Sequence, residues 1–315
     1  MQFIDTQTVA NMLPYGQLIE ALRIAFKEQI CSPERTQYKI ETNEVSDATL
    51  LLMPAWKKSQ HIGIKVVSVF PENTKSSLSA VNASYLLLDA KNGLPKVIMD
   101  GTELTLRRTA CASALAADYL TRDDVSSMLM VGTGNLAPHL IEAHMQLRDI
   151  RKVMIWGRDY QKALILAKKL KYKGVEISAI NDLYEGVQMA DIVSCATLSN
   201  TPLILGEWLK KGQHIDLVGA FTPEMHEVDS QALKMANVIV DTYAGALSES
   251  GELIDAIKEG LFFEKDIIAE MSEIVKQQKI GRNNKNEITL FKSVGAALED
   301  LAAAELVLTN LSETI

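Results

Sequence analysis

The chain has 315 residues, 47% of them hydrophobic and 23% charged, and its formal net charge at pH 7 is −8. This composition is typical of a globular protein with enough chain for two domains, and the acidic balance without a basic block argues against nucleic acid as a partner. Because no apolar run approaches the roughly 20 residues that cross a bilayer and the N-terminus has no signal-peptide pattern, we expect a cytoplasmic protein without a membrane partner.

The first 100 residues predict a helix followed by a sheet. Residues 15–29 carry apolar side chains on one face, which predicts a helix that packs on the rest of the fold. After a polar stretch, four β-rich runs separated by turn residues predict strands. These runs cover residues 49–56, 62–70, 81–89 and 96–99. Because no helix lies between them, the sheet should be antiparallel or mixed.

An alanine-rich helix, predicted over 102–121, leads to a dinucleotide-binding fingerprint. An apolar run at 128–131 is followed by the pattern G-x-G-x-x-A. Gly132 allows a tight turn, Gly134 leaves room for a pyrophosphate, and Ala137 lets the next helix lie close to the strand. The N-terminus of that helix offers N–H groups to the phosphates. The predicted phosphate-binding loop comprises Gly132, Thr133, Gly134, Asn135, Leu136 and Ala137.

The end of the second predicted strand, over 152–157, indicates which dinucleotide binds. NAD sites usually place an acidic residue there to hold the ribose 2′-hydroxyl, whereas this strand ends in Trp156, Gly157 and Arg158. A guanidinium suits a 2′-phosphate, so we predict NADPH, with NADH as the alternative. Asp159 would take the acidic role if the strand ended two residues later.

The rest of the chain predicts a doubly wound parallel sheet. Strand-like runs alternate with helix-like segments, which is typical of repeated βαβ units. The runs cover residues 152–157, 174–180, 190–196, 213–218 and 237–241. Ligands bind at the carboxyl ends of such strands, where Ala196, Thr197, Val218 and Gly219 lie. We predict that the last long segment, 288–308, is a helix.

Cysteine and histidine usage indicates neither a disulfide framework nor a metal site. Cys31, Cys111 and Cys195 are odd in number and far apart, and we interpret them as buried thiols. The five histidines form no H-E-x-x-H motif and no cluster with cysteine, so no metal is expected.

Five groups of motifs, in this order, resemble the ornithine cyclodeaminase and mu-crystallin family, and the resemblance spans nearly the whole chain. They lie at residues 64–67 with 71–73, 107–110 with 113–116, 132–134, 156–158 and 288–295. The resemblance implies an α/β homodimer of two-domain subunits. Residues 1–120 and 289–315 would form a discontinuous α+β domain for substrate binding and dimerisation, and 121–288 a Rossmann domain that binds a nicotinamide cofactor.

The resemblance also implies roles for particular side chains. Members of the family act on amino acids or their cyclic imines, and cationic side chains hold the substrate carboxylate. Matching the motifs assigns this role to Arg35, Lys65 and Arg108, of which Lys65 and Arg108 are the predicted catalytic pair. Ser79 matches a hydroxyl residue near the substrate, and Ser293 lies in a motif expected to approach the nicotinamide.

Two departures from the family pattern distinguish its activities. Ornithine cyclodeaminases carry a glutamate just before a Met-Pro pair, where this chain has Leu51 and Leu52, and an aspartate after a Val-Gly-Gly motif, where it has Phe221. We therefore predict reduction of Δ1-pyrroline-2-carboxylate to L-proline, and the six-membered Δ1-piperideine-2-carboxylate remains an open substrate. The alternatives are an ornithine cyclodeaminase, an alanine dehydrogenase, and a non-catalytic NADPH-binding protein of mu-crystallin type.

Overall fold

A computed structural model of the chain describes residues 2–42, 46–76 and 78–314. The strands are β1 (Gln2–Ile4), β2 (Thr36–Ile40), β3 (Ala48–Trp56), β4 (His61–Val69), β5 (Val81–Asp89), β6 (Pro95–Asp100), β7 (Ser127–Val131), β8 (Lys152–Trp156), β9 (Glu176–Ala179), β10 (Ile192–Cys195), β11 (His214–Leu217), β12 (Ala236–Val240), β13 (Ile267–Glu270) and β14 (Ile288–Lys292). The helices are α1 (Thr6–Met12), α2 (Tyr15–Ala25), α3 (Gly101–Leu120), α4 (Leu136–Met145), α5 (Tyr160–Lys169), α6 (Leu183–Met189), α7 (Ser230–Met235), α8 (Tyr243–Glu249), α9 (Gly251–Lys258), α10 (Met271–Val275) and α11 (Ala297–Thr314).

The chain divides into two compact units. One comprises Met1–Arg108 and Ala296–Ile315, and the other comprises Thr109–Gly295. The first unit therefore combines both ends of the chain. Its boundaries lie within α3 and just before α11, whereas we predicted boundaries after residue 120 and before residue 289.

The first unit is a six-stranded mixed sheet with helices on one face. The strand order is β1-β6-β5-β4-β3-β2, with β1 parallel to β6 and the other neighbours antiparallel. The side chains of β4 alternate, so that Gly63, Lys65 and Val67 are buried while their neighbours are partly exposed. Helix α11 contacts β3, β4 and α2. The prediction of an antiparallel or mixed sheet is confirmed.

The second unit is an eight-stranded parallel sheet in the order β13-β12-β14-β11-β10-β7-β8-β9. Neighbouring β7 and β10 mark the point where the strand order reverses, which is where doubly wound sheets bind their ligands. The central strands β7, β10 and β11 are almost entirely buried, as expected when helices cover both faces of a parallel sheet. The predicted Rossmann architecture is confirmed.

The predicted helix over 288–308 is wrong in its first part. Ile288–Lys292 forms β14, which lies between β11 and β12 and is buried at every position. Periodicity alone cannot separate a short buried strand from a buried helical segment. Helix α11 begins only at Ala297. The strands β1, β2 and β13 were not predicted, because β1 and β13 are short and β2 is exposed along its whole length.

Two further sequence interpretations concern the thiols and the membrane. Cys111 and Cys195 are buried, but the prediction is wrong for Cys31, which is exposed: it lies outside the named strands, in an isolated bridge to Trp56 at the exposed end of β3. Over the described residues, no helix is long and apolar enough to cross a membrane. The cytoplasmic location stays a prediction.

Candidate functional site

The turn after β7 has the geometry that its glycine pattern predicts. Gly132 has a φ of 127°, in a region that side-chain-bearing residues adopt only with strain. A Cβ atom at this position would also lie 2.6 Å from the carbonyl oxygen of Ala196. The Gly132 N–H donates to the carbonyl oxygen of Trp156 at 2.9 Å. The turn thus brings the carboxyl ends of β7, β8 and β10 together.

Gly134, by contrast, is exposed and borders open space. Among the described residues, apart from Gly134 and its chain neighbours, no heavy atom lies within 4 Å of the position that its Cβ would occupy. Helix α4 begins two residues later, and its N-cap residue, Asn135, makes no side-chain hydrogen bond to the helix start. Ala137, in the first turn of α4, is fully buried. A helix start without a side-chain cap beside an unfilled space fits the pyrophosphate of a dinucleotide.

The two candidate partners for the ribose, Arg158 and Asp159, follow β8 and lie in different environments. The Asp159 carboxylate caps α5 by accepting from the N–H groups of Gln161 at 2.9 Å and Lys162 at 3.4 Å. Arg158 is exposed, and the Trp156 indole N–H donates to the carbonyl oxygen of Asn181 at 3.2 Å. Asp159 therefore caps the start of α5, which makes its carboxylate less available to bind the ribose.

A buried carboxylate that the sequence analysis missed holds the ends of β10 and β11. Glu227 accepts hydrogen bonds from the Thr197 N–H at 2.7 Å and from the Thr197 hydroxyl at 2.9 Å. Its second oxygen accepts from the N–H groups of Gly219 at 3.0 Å and Ala220 at 3.2 Å. Burial raises the pKa of Glu227. Glu227 thus fixes the backbone of two strand ends that we predicted to line the cofactor.

A buried ion pair extends this network to β14. The Lys292 ammonium donates to the carbonyl oxygen of Ala220 at 2.6 Å and lies 3.2 Å from the Glu252 carboxylate. Glu252 also accepts from the Glu227 N–H at 3.3 Å and from the Ser250 hydroxyl at 3.0 Å. Both charges of the pair are satisfied, as fully buried charges require.

Ser293 is held by a second buried carboxylate. Asp241 directly follows β12 and accepts from the Ser293 hydroxyl at 3.0 Å and from the N–H groups of Val294 at 2.8 Å and Gly295 at 2.6 Å. This arrangement fixes the turn after β14. Asp241 could have been found from the sequence, since it is an acidic residue at the end of a predicted strand. Glu227 and Glu252 carry no such signal, because they lie in a loop and a helix.

The first unit contains a buried cluster of two cations and two carboxylates, which we call the α11 cluster: Lys65, Arg108, Glu299 and Asp300. The Lys65 ammonium lies 2.9 Å and 2.8 Å from the two oxygens of Asp300. The Arg108 Nε lies 2.8 Å from Asp300 Oδ1, and its Nη1 donates to Glu299 Oε2 at 2.6 Å. All four side chains are at most 5% exposed.

Charges in this cluster change the acidity of Lys65. Burial and the positive charge of Arg108 lower its pKa to about 8, against the opposing effect of Asp300. The charge of Arg35 makes a smaller contribution in the same direction. Tyr85 pairs with Lys65 across β4 and β5, and burial raises the pKa of its phenol well above the usual value.

The structure therefore brings Lys65 and Arg108 together through Asp300 but does not place Ser79 with them. The substrate role of Arg35 stays a prediction. Ser79 is exposed, and its hydroxyl donates to the carbonyl oxygen of Val81 at 2.6 Å. Its substrate role stays a prediction. The sequence analysis missed Glu299 and Asp300, since two acids in a helix are most often solvated.

Comparison with known proteins places the chain in a family. A family model described as ornithine cyclodeaminase/mu-crystallin matches residues 3–314. The chain belongs to the ornithine cyclodeaminase/mu-crystallin family. The resemblance inferred from five separate motifs is thereby confirmed.

Relatives within this family include named reductases. A Delta(1)-pyrroline-2-carboxylate reductase of Colwellia psychrerythraea is 36% identical over 99% of this chain and 100% of its own length. The structure of Thermococcus litoralis Delta(1)-pyrroline-2-carboxylate reductase in complex with NADH and L-proline is 35% identical, with a TM-score of 0.94 over 100% of this chain and 98% of that one. An archaeal alanine dehydrogenase dimer with bound NAD is 27% identical, with a TM-score of 0.92 over 100% and 97%.

Proposed function

We propose that this protein reduces Δ1-pyrroline-2-carboxylate to L-proline with a reduced nicotinamide dinucleotide. The observation that carries the proposal is the buried pair of cations, Lys65 and Arg108, in a chain 35–36% identical to proteins with this name. Leu51, Leu52 and Phe221 stand where the cyclodeaminases of the family have acids, so the chain lacks those groups for a second amine. A cyclic imine with one carboxylate matches this set of side chains.

The side chains of the protein mainly bind and orient in this reaction. Lys65 and Arg108 hold the substrate carboxylate through charge-assisted hydrogen bonds and so fix the position of the ring. Residues 132–137 hold the cofactor phosphates, Glu227 holds the backbone after β10 and β11, and Asp241 holds the turn after β14. When bound, the reduced nicotinamide supplies the hydride that C2 of the imine accepts. A protonated imine is already electrophilic, so orientation accounts for much of the protein's contribution.

The test is turnover with purified protein, followed by the absorbance of the reduced nicotinamide. Δ1-pyrroline-2-carboxylate, Δ1-piperideine-2-carboxylate, and pyruvate with ammonium are supplied in parallel, and ammonia release from ornithine is measured separately. The proposal expects the pyrroline to be the best substrate. Turnover of pyruvate would identify an alanine dehydrogenase, and ammonia release a cyclodeaminase. Cofactor binding without any turnover would indicate a ligand-binding protein of mu-crystallin type.

We further propose that NADPH is preferred to NADH. Exposed Arg158 supports this preference, since Asp159 is engaged as the cap of α5. We expect Arg158→Ala to weaken NADPH binding by roughly tenfold, because a charge-assisted contact to the 2′-phosphate is lost, and to leave NADH nearly unchanged. Fluorescence titration with both nucleotides measures this. Arg151→Ala is the matched control, since Arg151 is an exposed arginine at the other end of β8. Equal losses for both nucleotides would contradict the assignment.

We also propose that the protein forms a homodimer. The interface would be the face of the six-stranded sheet opposite to the one that α11 contacts. Lys65 contacts α11, and every second residue of β4 points to the same side of the sheet. The residues of β4 between them therefore point to the opposite face. That face carries partly exposed apolar side chains from four strands: Leu50, Leu52, Ile62, Ile64, Val66, Leu86, Leu88 and Ile98. A contiguous apolar face of this kind is typical of an interface between subunits. A second copy presents the same surface, and the archaeal relative is described as a dimer.

Substitution of this face tests the dimer. We expect Ile64→Lys to convert the protein to a monomer in sedimentation velocity, since a buried, unpaired ammonium at the centre of an interface is costly. Ile165→Lys is the control, because Ile165 lies on α5 with its side chain 65% exposed. A dimer that survives Ile64→Lys unchanged would remove this face as the interface.

A further inference from the structure

Two acids of the α11 cluster, Glu299 and Asp300, lie against the cations that we propose bind the substrate. We propose that Glu299 and Asp300 are positioning residues for the substrate carboxylate: Asp300 bridges Lys65 to Arg108 and keeps Lys65 charged, and Glu299 orients the Arg108 guanidinium. This inference rests on the proposed function. It extends the site to the C-terminal helix, far from the other site residues in sequence.

The two acids make different contacts with the cations. Asp300 contacts both cations, at 2.8 Å and 2.9 Å from Lys65 and at 2.8 Å from the Arg108 Nε. Glu299 reaches Arg108 through Nη1 at 2.6 Å. Adjacent residues of one helix thus contact two different atoms of the guanidinium: Glu299 accepts a hydrogen bond from Nη1, and Asp300 lies beside Nε as an ion pair. These two contacts restrict the position of the guanidinium.

The cluster needs its acids because its cations are buried together. Lys65 is 1% exposed and Arg108 is 4% exposed, and like charges removed from water repel strongly. The charged and titratable groups around them are Arg35, Tyr85, Glu299 and Asp300. Of these, Arg35 opposes the charge of Lys65, while Asp300 favours it. Loss of Asp300 would leave Lys65 facing mainly positive charge.

The affinity for a carboxylate should therefore depend on pH through Lys65. Its pKa is about 8, lowered mainly by burial, so Lys65 is charged below this pH and neutral above it. Binding of an anionic group to the cluster should weaken as the pH rises through about 8. Without the charge of Asp300 the folded protein holds this proton less tightly, and the weakening should begin at lower pH.

A purely structural role for these acids would be to anchor α11 to the sheet. Glu305 provides the matched comparison, since it lies on the same helix and its carboxylate contacts Lys57 at 3.0 Å and His61 at 2.9 Å. Glu305→Gln removes an ion pair of α11 without touching Lys65 or Arg108. If anchoring is the only role, Asp300→Asn and Glu299→Gln should resemble Glu305→Gln.

The experiment measures binding and turnover in the holoenzyme with saturating NADH, between about pH 6 and pH 9.5. Pyrrole-2-carboxylate, a planar carboxylate without a reducible C=N bond, is titrated by calorimetry, and kcat and KM for Δ1-pyrroline-2-carboxylate are measured beside it. In Asp300→Asn we expect the alkaline decline in affinity and in kcat/KM to move to lower pH by about one unit or more. In Glu299→Gln we expect about tenfold weaker binding at every pH, mostly as a higher KM.

The outcomes separate this inference from the proposed reaction. Melting temperatures that fall in all three variants, with affinity and pH profile as in the wild type, would overturn the positioning role. Binding of pyrrole-2-carboxylate without turnover would remove the proposed reaction only, and the affinity series would still decide the inference. A wild-type protein that neither binds pyrrole-2-carboxylate nor turns over Δ1-pyrroline-2-carboxylate would overturn both. If Asp300→Asn does not fold, Glu299→Gln decides, and Asp300→Glu should retain the wild-type pH profile.

Discussion

Arg108→Ala is expected to lower kcat/KM for Δ1-pyrroline-2-carboxylate by roughly two orders of magnitude. Removal of one charged partner of a desolvated carboxylate costs about 3 kcal/mol, and each tenfold change corresponds to about 1.4 kcal/mol. The variant also leaves Glu299 and Asp300 with fewer cations, which adds repulsion in the cluster. Steady-state kinetics measures the effect, and the dissociation constant of NADH should stay near the wild-type value.

Arg107→Ala is the control for this variant. Arg107 precedes Arg108 in α3, but it binds Glu103 at 2.6 Å and the carbonyl oxygen of Leu13 at 3.0 Å. Its loss should reduce the melting temperature and leave KM within about twofold, since it contacts no member of the α11 cluster in the described residues. Near-normal kinetics in Arg108→Ala, or equal losses in both variants, would remove Arg108 from the substrate site.

Gly134→Val is expected to abolish most dinucleotide binding without destabilising the fold. In the part of the chain that the structure describes, no heavy atom other than those of Gly134 and its chain neighbours lies within 4 Å of the added Cβ, so the native chain has room for it. That room is the space assigned to the pyrophosphate, which needs bare backbone beside it. We expect the dissociation constant of NADH to rise at least about 100-fold, measured by fluorescence titration, with a melting temperature close to the wild-type value.

Gly132→Ala, unlike Gly134→Val, should mainly lower the stability of the fold. Its φ of 127° and the 2.6 Å approach to Ala196 make any side chain strained at this position. We expect a loss of about 2 kcal/mol or more in the free energy of unfolding, measured by urea denaturation. If Gly134→Val binds NADH normally, the pyrophosphate does not lie in this space and the phosphate-binding loop must be reassigned.

The features that the sequence determined by itself are local ones. The β-rich runs and the turn residues between them identified the strands between 48 and 100, and the glycine pattern at 132–137 identified the turn after β7. Such patterns report backbone conformation and burial within one segment, so they require no knowledge of distant contacts. The same reasoning failed at Ile288–Lys292, because a short buried strand shortly before a helix cannot be told from a buried helical segment by its local pattern.

The tertiary structure alone decided which charges meet. Lys65 and Asp300 are 235 residues apart, and Glu227 lies in a loop yet holds the ends of β10 and β11. Such pairs form because α11 packs on the six-stranded sheet and because parallel strands end at one edge. An acidic residue in a helix has the same local pattern whether it is solvated or pairs with a buried lysine. The role of Asp300 therefore follows from packing between distant segments, which no local pattern encodes.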